Sequence, residues 1–106
     1  MFLWILLVSL AFSSSGQWWS LKNSGVDTNL RGVSVVLETS LSPESVVWAT
    51  GSHGVVLRSA DSGKSWKRLH IPDSESLDFR GVQAFEENIA YVMASGEGTN
   101  SAIYKT

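Results

Sequence analysis

Beyond residue 16, apolar and polar positions alternate over runs of four to seven residues, and no stretch carries the i, i+3, i+4, i+7 spacing of an amphipathic helix. The pattern predicts strands over 31–37, 46–50, 55–59, 66–70, 80–85, 89–94 and 102–105. Val, Ile, Trp and Tyr fill these runs, as a half-buried pleated surface prefers. The intervening segments 41–45, 51–54, 61–64, 71–74 and 96–100 are built from Gly, Pro, Asp, Asn and Ser, which set turn dihedrals or bond their own backbone. An all-β chain from Gln17 onward is the expectation.

The strands repeat in order. Leu30-Arg31-Gly32-Val33 returns as Phe79-Arg80-Gly81-Val82, Val47-Trp48-Ala49 as Ala90-Tyr91-Val92, and Val56-Leu57-Arg58-Ser59 as Ile103-Tyr104-Lys105-Thr106. Trp19-Ser20-Leu21 stands ahead of Trp66-Lys67-Arg68-Leu69 in the same way. Arg31 to Arg80 is 49 positions, while Arg58 to Lys105 and Trp19 to Trp66 are each 47. A period in the high forties with four short strands per unit suits propeller blades and is too long for leucine-rich or ankyrin arrays.

Between the third and fourth predicted strands lies Ser59-Ala60-Asp61-Ser62-Gly63-Lys64-Ser65-Trp66, which fits the form Ser-x-Asp-x-Gly-x-Ser/Thr-Trp. The chemistry of this octapeptide is structural. Asp61 can accept backbone N–H groups of the turn it begins, Ser59 or Ser65 can add a hydroxyl bond, and Gly63 can take a positive φ. Trp66 is expected to bury its ring against the neighbouring sheet with its indole N–H on a local acceptor. Its loss would then cost about 3–5 kcal/mol as a core residue.

This motif resembles the Asp-box, or BNR repeat. The chain after Gln17 resembles secreted bacterial proteins related to the photosystem II stability/assembly factor, and more distantly the sialidase and sortilin propellers. The resemblance implies about two four-stranded antiparallel blades of a β-propeller, an incomplete propeller fragment with a structural Asp-box of Ser59, Asp61, Gly63, Ser65 and Trp66. It also implies an arginine-rich surface that holds a protein partner on a propeller face or in the central channel. In this comparison Trp19 closes an Asp-box whose earlier part is absent. Thr106 aligns with Ser59, so residues 17–106 read as N-terminal blades truncated at the C-terminus, with the remaining blades of the parent chain as partners.

The first residues are of different material. Phe2, Leu3, Trp4, Ile5, Leu6, Leu7, Val8 and Leu10 form an apolar run before Ser13-Ser14-Ser15-Gly16, the pattern of a signal-peptide core with a small-residue cleavage zone, so 1–16 is read as a signal peptide. No Lys or Arg precedes the run, which departs from that pattern, and the run is shorter than the roughly 20 residues of a membrane span. The expectation is a secreted or periplasmic protein without a stable membrane span after cleavage. With no cysteine, a disulfide framework, thiol nucleophile and thiolate metal site are all absent, and stability must come from packing. The formal charge of -2 is spread without runs, which argues against a nucleic-acid partner.

Candidate chemistry is sparse. Arg31 and Arg80 open the predicted innermost strands, where they are possible ligand- or partner-binding residues through planar contacts to carboxylate or phosphate. The competing reading gives each a local bond to a loop carbonyl. A sialidase-type glycoside hydrolase, the alternative function, needs an arginine triad, a tyrosine with a glutamate, and an acidic proton donor. Here Arg58 and Arg68 fall on outer strands, and Tyr91 and Tyr104 repeat Trp48 and Leu57 as packing positions, so such a site would lie in missing blades. No catalytic residue is assigned. His53 and His70 lack helper ligands for zinc, Gly96-Glu97-Gly98 leads to a strand instead of a helix, and Glu86-Glu87 suit a solvated turn. No metal and no cofactor is assigned. The expected function is that of a non-catalytic extracytoplasmic scaffold or assembly-type binding protein, with self-association of exposed strand edges as a further possibility.

Overall fold

The computed structural model describes residues 17–106; the apolar run read as a signal peptide lies outside them. The described residues are all-β, with two antiparallel sheets formed in chain order. The first contains β1 (Leu30–Val36), β2 (Val46–Gly51), β3 (Val56–Ser59) and β4 (Lys67–Leu69). The second contains β5 (Phe79–Glu86), β6 (Ile89–Ala94) and β7 (Ala102–Lys105). All seven strands lie where the alternation put them. β3 is shorter than expected by one residue and β4 by two, Trp66 belonging to the turn before β4. A 3-10 turn, Gly98–Asn100, occupies the expected loop before β7.

The two sheets match residue by residue. Each first strand carries a register shift at its arginine, between Leu30 and Gly32 in β1 and between Phe79 and Gly81 in β5. The cross-strand row Ser34, Trp48, Arg58 of the first sheet has its counterpart in Gln83, Tyr91, Lys105 of the second. In both rows a cation lies over the central ring, Arg58 over Trp48 at 5.9 Å and Lys105 over Tyr91 at 5.9 Å. Thr106 bonds to Ala90 through its backbone N–H, as Ser59 pairs with Val47.

The sheets stack face to face, β1 against β5, around a core that holds Val46, Trp48 and Val56 from one side and Leu77, Phe79, Ala90 and Val92 from the other. Trp48 and Phe79 are almost wholly enclosed. The arrangement follows from period-2 alternation: one face of each strand supplies this layer and the other face points away. Close approach of the two first strands depends on Gly32. A Cβ there would stand 2.9 Å from Thr50 Oγ1, 3.3 Å from the Arg80 carbonyl and 3.4 Å from Gly81 Cα. Ser34 Oγ accepts the Ala84 N–H across the same gap at 2.9 Å.

Segment 17–29 forms no strand. Trp19, expected to be seated like Trp66, is exposed, as are Trp18 and Leu21. The physical reason is local: the Ser-x-Asp-x-Gly half that positions Trp66 has no counterpart ahead of Trp19, and no sheet among the described residues stands beside it. Farther on, the Lys22 stem lies against Gly63 and Val26 packs against Ala49, Val55 and Leu57.

Candidate functional site

The turn from Ser59 to Trp66 is held by a closed set of side-chain bonds. Ser59, buried at the end of β3, donates its hydroxyl to Asp61 Oδ1 at 2.8 Å and accepts the Gly63 N–H at 2.8 Å. Asp61 Oδ1 also accepts the Ser65 N–H at 2.8 Å, and its Oδ2 accepts the Ser65 hydroxyl at 2.5 Å. Both serine hydroxyls therefore serve the carboxylate. Ser62 and Gly63 both take left-handed dihedrals, with φ of 61° and 90°. The glycine does so without strain, and the serine is held there by its bonds.

These donors keep Asp61 well below the usual carboxylate range, at about 2, with the Ser65 hydroxyl the largest cause, then the Ser65 N–H and the Ser59 hydroxyl. The turn is also docked on the β1–β2 connection. Ser62 N–H donates to the Ser45 carbonyl at 3.0 Å, Ser45 N–H to Ser62 Oγ at 3.0 Å, and Ser62 Oγ to Glu44 at 2.5 Å. Glu44 is lowered in turn, first by that hydroxyl and then by the Lys64 ammonium. Glu38 is lowered chiefly by the Ser45 hydroxyl, which it accepts at 2.6 Å.

Trp66 differs from expectation in two respects. It is half-buried against Ala49, Val55 and Leu57 of its own sheet, on the face turned away from β5, instead of against the neighbouring sheet. Its indole Nε1 is buried without a hydrogen-bond partner among the described residues, as is that of Trp48. The clamped turn swings the chain back over β3 before β4 begins, so the ring lands on the face of the strand it has just left and meets only aliphatic side chains.

Arg31 and Arg80 are brought together by sheet stacking. Both Nε groups point to one carboxylate: Arg31 to Asp78 Oδ1 at 2.7 Å and Arg80 to Asp78 Oδ2 at 2.9 Å. The partner is a carboxylate, in place of the loop carbonyl considered above. Carbonyl bonds of that kind are made by the other two arginines, Arg58 to Glu87 at 2.8 Å and Arg68 to His53 at 3.3 Å. The terminal nitrogens of Arg31 and Arg80 have no hydrogen-bond partner among the described residues. Asp78 escaped sequence reasoning. The available signal was its place two residues before Arg80, where the first repeat carries Asn29 before Arg31.

The minor candidates are dispersed. His53 sits in the β2–β3 turn with φ of 59°, His70 lies 3.7 Å from Glu75, and Glu87 accepts the Ser42 hydroxyl at 2.8 Å. Tyr104 packs edge-on to Phe79 at 5.9 Å, and Tyr91 edge-on to Phe85 at 5.6 Å. Among the described residues no three metal-ligating side chains converge, and no helix is long and apolar enough to cross a membrane. These features define a class: an all-β protein of two matched antiparallel sheets with a carboxylate-clamped turn and an arginine pair at their junction. No protein-family model, curated protein or solved structure matches the chain.

Proposed function

We propose that this chain is part of an Asp-box β-propeller outside the cytoplasm and works as a non-catalytic scaffold that holds a protein partner, with further blades of the parent chain completing the ring. The reading rests above all on the Arg31–Asp78–Arg80 cluster. Stacking of two repeats sets two guanidinium groups side by side, each with its Nε–H engaged and, among the described residues, its terminal N–H groups free to meet a planar anion. Such a pair suits a carboxylate on a partner surface. The matched bulges, the matched cation–π rows and the clamped turn support the propeller part of the reading.

The test compares the secreted wild-type protein with Arg31→Ala/Arg80→Ala by quantitative affinity capture from its own extracytoplasmic fraction. The expected result is loss of the captured partner with an unchanged β-sheet circular dichroism spectrum. Equal capture by both proteins counts against the arginine pair as the contact.

A further inference from the structure

The connections that follow the two stacked first strands are unequal. Between β1 and β2 the chain takes residues 37–45, whereas β5 turns into β6 through Glu87 and Asn88 alone. The long connection reaches across to the short one and is latched to it: the Ser42 hydroxyl donates to Glu87 Oε1 at 2.8 Å. Arg58 Nε holds the same turn from β3, donating to the Glu87 carbonyl at 2.8 Å. Between the two connections lies a groove of about 620 Å³.

The apolar lining of this groove is turned to solvent, with Leu37, Leu41 and Phe85 at 71%, 94% and 60% exposed. Its charged lining is acidic, with Glu44, Glu86 and Glu87 on the same walls. Lys64 offsets Glu44 at 3.4 Å, and the guanidinium of Arg58 is engaged with a carbonyl. Glu86 is exposed and has no ion pair among the described residues. Apolar side chains left in water and rimmed by charge of one sign mark a recognition surface.

We propose that this groove takes an extended segment of a partner protein in which lysine or arginine stands beside large apolar side chains. Charge complementarity selects the occupant. The apolar side chains of the segment cover Leu37, Leu41 and Phe85, its cations meet Glu86 and Glu87, and the same carboxylates turn away an acidic segment or an anionic lipid surface. The apolar run at 2–12 carries no lysine or arginine and does not match. Further blades stack on the faces of the sheets, whereas both walls of the groove stand at strand ends within this pair of sheets, so completion of the ring leaves it open. The arginine pair sits toward the opposite ends of β1 and β5, about 20 Å away at the rise of an extended strand. The groove is therefore a second surface, and the inference does not rest on the first.

Fluorescence anisotropy of the fluorescein-labelled peptide Lys-Leu-Lys-Phe-Lys-Leu with the secreted wild-type protein tests it. The peptide should bind at least about tenfold more tightly than its counterparts with serine in place of leucine and phenylalanine, or with glutamate in place of lysine. Leu41→Ser/Glu86→Gln, which changes two exposed side chains, should weaken binding at least about tenfold with an unchanged melting temperature. If that temperature falls, Leu37→Ser replaces Leu41→Ser. Absence of binding, equal binding of the three peptides, or an unchanged affinity in the double variant overturns the proposal. Capture of phosphatidylglycerol vesicles in place of the peptide does so as well. None of these outcomes bears on the partner contact at Arg31 and Arg80, which is read on its own variant.

Discussion

Arg31 of β1 and Asp78, the residue before β5, are 47 residues apart and joined at 2.7 Å, and the second oxygen of the same carboxylate holds Arg80 at 2.9 Å. The carboxylate thus lies between two like charges at the seam of the sheets. Asp78→Ala should lower stability by about 1 kcal/mol, since the pairs are partly exposed and solvent weakens them. The loss should shrink in high salt. Urea unfolding at two ionic strengths measures both effects, and a salt-independent loss would point to packing instead of charge.

The Asp61 carboxylate makes the turn acid-sensitive. Its folded-state pKa of about 2 lies below the unfolded value, so its contribution to stability is complete above about pH 4 and is lost as the pH falls through about 2. Glu44 and Glu38 are shifted in the same direction and add to the loss over the acid range. Asp61→Asn should be less stable than the wild type at neutral pH and should show a flatter decline between pH 4 and pH 2. Thermal melts across that interval test it; parallel declines would mean the clamp does not depend on charge.

The two tryptophans packed on the first sheet, one on each face, should differ in cost. Trp48 is almost fully buried between the sheets, and Trp48→Ala should destabilise by about 4 kcal/mol. Trp66 is half-buried on one sheet face, and Trp66→Ala should cost about half as much. Because neither indole N–H is hydrogen-bonded among the described residues, each Trp→Phe change should cost less than about 1.5 kcal/mol. Denaturant midpoints for the four variants decide the ranking, and a large loss in Trp66→Phe would reveal an acceptor for its N–H.

Gly32 and Gly81 occupy equivalent places but unequal surroundings. Gly32→Ala drives a methyl group toward Thr50 Oγ1 and the β5 backbone and should cost about 1–3 kcal/mol. Gly81→Ala meets only the Met93 side chain, at 3.5 Å, and should change stability by less than about 0.5 kcal/mol. Their melting temperatures make the comparison. Equal costs would show that the strand, and not its neighbour, demands glycine.

Much of the molecule was determined by the order of its residues alone. Period-2 alternation and the turn residues located all seven strands, because both act within a few residues of chain and no long-range contact had to be guessed. The internal repeat disclosed which strands are equivalent, and the spacing of Ser59, Asp61, Gly63 and Ser65 specified the clamped turn, since every bond in it spans two to four residues.

Only the tertiary structure decided what crosses between elements. Asp78 became the partner of both arginines through stacking of β1 on β5, a relation that no local pattern carries. Trp66 lay on its own sheet, and Trp19 on none, because the seat of a side chain depends on which surface the folded backbone brings beneath it. Which face of each sheet enters the shared core likewise required the stacking to be known, since alternation marks two sides of a strand but does not say which side meets another sheet.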